Sequence, residues 1–171
     1  MIKPYAEDVL KVIRQYDPDN LVIVGTPHWS QEVDVAASKS ILDTNIAYAF
    51  HFYSSDGWHK QNLRNKVLGA MKKGAPIFIT EYGLSKADGN GAIDTVETTK
   101  WFSFVDEYEL STCNWSIMDK EETSAALKPG ANAIGHWNIS DLNMSGVFIR
   151  NRIRALNEKI FQFLDTETKK K

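Results

Sequence analysis

Pro76-Ile77-Phe78-Ile79-Thr80-Glu81-Tyr82-Gly83 is the stretch that decides the fold. A short, uninterrupted apolar run rich in β-branched and aromatic residues suits a strand covered on both faces, here residues 76–80. A carboxylate follows it directly, at Glu81. Three other runs share this form. Leu21-Val22-Ile23-Val24 ends at Gly25-Thr26, residues 46–50 end at His51-Phe52-Tyr53, and residues 112–116 close around Asn114-Trp115. The ends at Gly25, His51, Glu81 and Trp115 are 26, 30 and 34 residues apart. Continuous rather than alternating apolar runs at that spacing predict parallel strands joined by helical crossovers.

The intervening segments carry the helical period. Residues 4–16 place Tyr5, Val9, Leu10 and Ile13 on one face, with Pro4 in the first turn. A weaker helix is expected over residues 32–38, and another over 62–73, stopped by Gly74. Asp94 and Glu97 have the spacing of a capping box, opening a helix whose apolar face is Trp101, Phe104, Val105 and Tyr108. A last helix starts near Ser145 and carries Ile149, Ile153, Leu156 and Ile160. Four strands and five helices describe half of a (β/α)8 barrel, which needs about 250 residues, or else a short open α/β sheet. Residues 1–164 are expected to form a single domain and residues 165–171 a solvated tail.

Composition narrows the function classes. A chain of 171 residues, 43% hydrophobic, can bury one domain-sized core. A net charge of −2 with both signs scattered argues against nucleic acid, whose binders concentrate positive charge on one face. The single Cys113 excludes an internal disulfide, and His28, His51, His59 and His136 lack metal-ligand spacing, so no zinc site is expected. No apolar run reaches membrane-spanning length, and residues 1–10 lack the apolar core of a signal peptide.

In parallel βα architectures, functional side chains gather at the carboxyl ends of strands. Those ends are polar or aromatic here: residues 26–29, then His51 and Tyr53, then Glu81, then Asn114 and Trp115. A carboxylate at the rim of a core needs partners. His51 and Tyr53, on the neighbouring strand end, can supply them. Taken alone, Glu81 reads either as a structural acceptor or as a catalyst, and its company favours the catalyst.

Six short motifs in order then carry a resemblance. They are Val22-Ile23-Val24-Gly25-Thr26 with Trp29-Ser30-Gln31, then His51-Phe52-Tyr53, then Thr80-Glu81-Tyr82-Gly83, then Asn114-Trp115-Ser116. Residues 120–127 with Pro129-Gly130-Ala131, and finally Ser145-Gly146, complete the set. In order and spacing they resemble the fifth to eighth strands of family 5 glycoside hydrolases of the cellulase type, over nearly the whole chain to about Leu156. The resemblance implies half of a TIM barrel and endo-acting, retaining hydrolysis of β-1,4-glucan without metal or cofactor. It makes Glu81 the nucleophile, with His51 and Tyr53 around it. Trp115 would stack on the sugar beside the cleaved bond, Trp29 would lie on the leaving-group side, and Lys120 and Glu122 would bind glucose hydroxyls. Ala87 and Asp88 would also touch substrate. Such enzymes are secreted.

Each residue keeps a plainer reading: Trp115 as core, Trp29 as a loop anchor, Lys120 and Glu122 as solvated surface, His28 and His136 as bystanders. Trp58 and His59 fall in a stretch longer than the family has between its sixth strand and the following helix, a lip of the cleft or nothing. One departure matters more. The family's acid/base is a Glu between Asn and Pro, and the only Asn-Glu here is Asn157-Glu158 in the last helix. The expectation is therefore a half barrel completed by a homo-oligomer or by a complementary N-terminal half. The alternatives are a non-catalytic β-glucan-binding half barrel and an inactive piece.

Overall fold

The computed structural model describes residues 2–158. Ile160 of the expected last helix, and the tail expected at 165–171, lie outside the described residues. The chain runs α1 (Ile2–Tyr16), β1 (Val22–Val24), α2 (Pro27–Ser30), α3 (Val33–Ser38), β2 (Ile46–Tyr53), α4 (Gln61–Met71), β3 (Ile77–Gly83), α5 (Thr95–Glu107), β4 (Thr112–Asn114), a 3-10 turn (Ile139–Asp141) and α6 (Met144–Leu156). It divides into two compact units, one up to Asn114 and one from Trp115 onward.

The first unit holds the sheet. Its order is β1-β2-β3-β4, every pair parallel, and the sheet is not closed. The parallel βα arrangement expected from the apolar runs is therefore present. Its centre is β2, where only His51 among eight residues escapes full burial. Phe50, Phe52 and Trp101 pack there as an aromatic stack, with the Phe52 and Trp101 rings 3.9 Å apart. Across this stack Arg64 of α4 forms a buried ion pair with Glu97 of α5 at 2.6 Å and lies over the Trp101 ring. Removing one member would strand the other charge, so the pair locks α4 against α5.

The margins of the sheet differ from expectation. β1 is half-exposed, with Ile23 at 37% and Leu21 more exposed still, and Thr112 and Cys113 of β4 are exposed. Both are edge strands, and an apolar run is buried only when something lies against it. The same reason corrects α1. Ala6 and Leu10 are buried, but Tyr5 is 73% exposed and Val9, Val12 and Tyr16 are exposed with it. The helix is held by a narrow seam, with Lys3 Nζ donating to the Ser40 carbonyl and the Arg14 guanidinium to Asp43 and the Thr44 carbonyl.

Helix ends follow the sequence closely. Gly74 takes φ 81° after α4, and its N–H donates to the Met71 carbonyl. Asp94 accepts from the Glu97 N–H at 2.9 Å, but the expected reciprocal bond is missing because the Glu97 carboxylate is committed to Arg64.

In the second unit, the segment from Trp115 to Asn143 doubles back on itself. Ser116 N–H donates to the Ser124 carbonyl and Ala126 N–H to the Ser116 carbonyl, while Asn143 Nδ2 donates to the carbonyls of Ala125 and Leu127. Gly146, in the first turn of α6, passes so close to the Ala126 backbone that a Cβ would collide with its carbonyl. Ser145 and Ile149 are buried along α6, but Ile153 and Leu156 are exposed, so among the described residues of the expected stripe only Ile149 is covered.

Candidate active site

Strand register builds the site. His51 and Tyr53 are two apart on β2, so both side chains leave the same face. Opposite them the register shifts: Phe50 pairs with Ile79, but His51 pairs with Glu81. Thr80 is the extra residue, and this irregularity sets Glu81 level with His51. The Tyr53 hydroxyl donates to Glu81 Oε1 at 2.8 Å. His51 Nδ1 lies 3.8 Å from Glu81 Oε2, and its Nε2 is 2.9 Å from the Thr80 hydroxyl. Burial holds the His51 pKa below its ordinary value, and the Glu81 carboxylate only partly opposes this. His51 is neutral at pH 7, so its contact with Glu81 is a dipolar one rather than an ion pair.

Gly83 makes room for this arrangement. It pairs with Tyr53 in the register, and a Cβ on it would stand 2.5 Å from the Tyr53 ring. The Tyr53 backbone is also fixed, because its N–H donates to His59 Nδ1 at 2.9 Å. That bond leaves the neutral imidazole proton on Nε2, 2.9 Å from the side-chain amide of Gln31, which accepts it with the amide turned so that its oxygen faces the ring. The Trp101 indole N–H donates to the His59 carbonyl at 2.8 Å. His59 is buried, which lowers its pKa, and it ties three chain segments together.

Trp29 reaches the site by strained backbone. His28, Trp29 and Ser30 have φ of 56°, 50° and 59°, a run of left-handed residues without a glycine. The Ser30 N–H donates to the Thr26 carbonyl at 3.1 Å, and the Gln31 N–H donates to the Pro27 carbonyl, holding the turn closed. The result is an indole that is 77% exposed.

Trp29, His51, Tyr53, Glu81, Ala87 and Asp88 share one open cleft of about 610 Å³. His28, Gln31, Asp56, Trp58 and His59 also line it. Of these, Asp56 carried no signal in the sequence, Gln31 stood in a motif without a role of its own, and His28, expected to be a bystander, stands on the wall. The remaining expected residues, Trp115, Lys120 and Glu122, belong to the second unit. There Trp115 is exposed, its peptide bond to Ser116 is cis, and Lys120 Nζ donates to Glu122 Oε2 at 2.5 Å. Lys120 and then the Ser124 hydroxyl hold the Glu122 carboxyl below its ordinary pKa. Among the described residues no cluster of His, Cys, Asp and Glu could hold a metal ion.

The family model for Cellulase (glycosyl hydrolase family 5) matches residues 1–121. The chain belongs to glycosyl hydrolase family 5. It is 52% identical over 153 residues to Endoglucanase A of Evansella cellulosilytica, covering 90% of this chain and 31% of that protein. It is 47% identical to an endoglucanase of Clostridium saccharobutylicum, over 91% of this chain and 34% of that one. A solved structure from Cytophaga hutchinsonii aligns with a TM-score of 0.90 at 46% identity, over 94% of this chain and 52% of that one. The catalytic domain of an endoglucanase from Thermobifida fusca, in complex with cellotetraose, aligns at 0.82 and 33% identity, over 90% and 52%. This family 5 chain thus spans about a third of the curated relatives and about half of the solved chains. Its four parallel strands are half of the family's (β/α)8 barrel.

Proposed function

We propose that this chain carries the nucleophile half of a retaining endo-β-1,4-glucanase, with Glu81 as the attacking carboxylate. The observation that supports it most is the pairing of Glu81 with Tyr53 at the wall of a wide cleft that also bears an exposed indole. Tyr53 engages Oε1, leaving Oε2 to attack the anomeric carbon. The carbon–oxygen bond to the leaving sugar breaks as the glycosyl ester forms, and water later hydrolyses that ester with net retention. Trp29 would carry the leaving-group sugar, and Ala87 and Asp88 would border the chain being cut. Trp115 would stack on the sugar at the cleaved bond, with Lys120 and Glu122 binding hydroxyls.

The leaving oxygen needs a proton from a second carboxyl group, placed about 5–5.5 Å from the first in retaining enzymes. The family's Asn-Glu-Pro for that role is not in this sequence. The unpaired margins at β1 and β4 and the exposed stripe of Tyr5, Val9, Val12 and Tyr16 support completion by a second copy or by a complementary N-terminal half. Polymeric glucan does not enter cells, so the working place of such an enzyme is extracellular. A stable, monodisperse monomer in light scattering would remove the self-association route.

The test separates attack from protonation. A 2-deoxy-2-fluoro-β-cellobioside with a dinitrophenolate leaving group needs no acid, and its glycosyl-enzyme is long-lived. The expected result is a mass increase on the peptide bearing Glu81, absent from Glu81→Gln. An adduct elsewhere, or unimpaired release of reducing sugar from carboxymethylcellulose by Glu81→Gln, would overturn the assignment. A second reading, a glucan-binding half barrel without turnover, draws on the exposed Trp29. Retention on cellulose with neither adduct nor reducing sugar would select it.

A further inference from the structure

We propose that Trp58 is a second sugar platform beside Trp29, extending the cleft by one glucose ring of a β-1,4-glucan. This rests on the reading of the cleft as a glucan site. Trp58 lines the same cleft as Glu81 and Trp29 and is 79% exposed. An indole left in water at the mouth of a cleft forgoes a large burial energy, which ligand binding recovers.

Its loop is held rather than loose. The Asp56 N–H donates to the Tyr53 carbonyl, the His59 N–H to the Asp56 carbonyl, and the Trp58 N–H to Asp56 Oδ1 at 3.1 Å. The next residue, His59, is buried and bonded to Tyr53, Gln31 and Trp101. An aromatic on an anchored loop presents its face at little entropic cost, which is the property a binding platform needs.

The contact between Gln31 and His59 ties together the two segments that carry the indoles, and both indoles line the one cleft. Trp29 is two residues before Gln31, and Trp58 is one residue before His59, so the aromatics flank one fixed cross-link. Polar groups accompany them: His28, Gln31 and Asp56 line the same wall. A β-linked glucose ring matches this chemistry. Its axial C–H faces are apolar and stack on aromatic rings, while its equatorial hydroxyls point outward to hydrogen-bonding groups.

The test is titration of cellotriose and cellohexaose into the whole chain, followed by calorimetry or by intrinsic fluorescence. Trp58→Ala is expected to weaken cellohexaose about three- to tenfold and cellotriose less, and Trp58→Tyr to restore most of the loss. Equal affinity of Trp58→Ala and wild type for cellohexaose, with Trp29→Ala weakened, would overturn the platform and leave the glucan site standing. A wild-type chain that binds no cello-oligosaccharide would overturn both, and the labelling of Glu81 would fail with it. Tighter binding of maltohexaose than cellohexaose would overturn the assignment of a β-linked occupant.

Discussion

The centre of the sheet and its margins were written in the same letters but behave differently. Ile46–Phe50 and Leu21–Val24 are both unbroken apolar runs, yet the first is buried throughout and the second is half in water. Position decides burial, and it decides how functional groups are held. On the central strands, His51, Tyr53 and Glu81 are fixed by register, by one irregularity at Thr80 and by the space at Gly83. After the edge strand β1, Trp29 has no ladder to fix it, and three left-handed residues do the aiming instead.

The largest effect should come from the central pair. Glu81→Gln should lower labelling by the activated fluoroglycoside about 1000-fold or more while leaving Tm nearly unchanged, as mass spectrometry and a thermal melt would show. Next, Phe50→Ala should cost about 3–5 kcal/mol in urea denaturation, because the ring is fully buried in the aromatic stack. Gly83→Ala should cost about 1–3 kcal/mol and slow labelling of Glu81, since the new methyl displaces Tyr53. Ile23→Ala, at the margin, should cost only about 1 kcal/mol in a dilute monomer. A loss approaching that of Phe50→Ala, growing with protein concentration, would mean that a second chain covers β1 and would break the contrast.

Acidification gives the smallest effect. Burial lowers the pKa of His51 and His59, so the unfolded chain binds protons first as pH falls below the ordinary histidine value near 6.5. Stability should therefore drop as pH falls below about 6.5, before the lowered carboxyls of Asp94 and Glu122 begin to contribute in the same direction. His59→Gln should flatten this slope in melts at several pH values. An unchanged slope would place the sensitivity elsewhere.

Much of this was legible beforehand because it is local or periodic. The strand ends, the Gly74 cap and the adjacency of His51, Tyr53 and Glu81 follow from period, turn chemistry and parallel order. What was not legible depends on neighbours distant in sequence. Tyr5 and Val9 have the spacing of a core face, but burial requires an opposing surface. Glu97 has capping-box spacing, but Arg64 competes for its carboxylate. The left-handed turn at residues 28–30 contains no glycine to announce it. His59 looked incidental because its three partners are 6, 28 and 42 residues away.

The strand order β1-β2-β3-β4 is also the order of synthesis. Each strand finds its neighbour after one intervening crossover, so every new pairing closes a loop of modest length. As the chain leaves the ribosome, β1 and β2 can join before β3 exists, and the growing margin is always the newest strand. Assembly is then an accretion in one direction. Further βα units could be appended at either margin without rewiring those already in place.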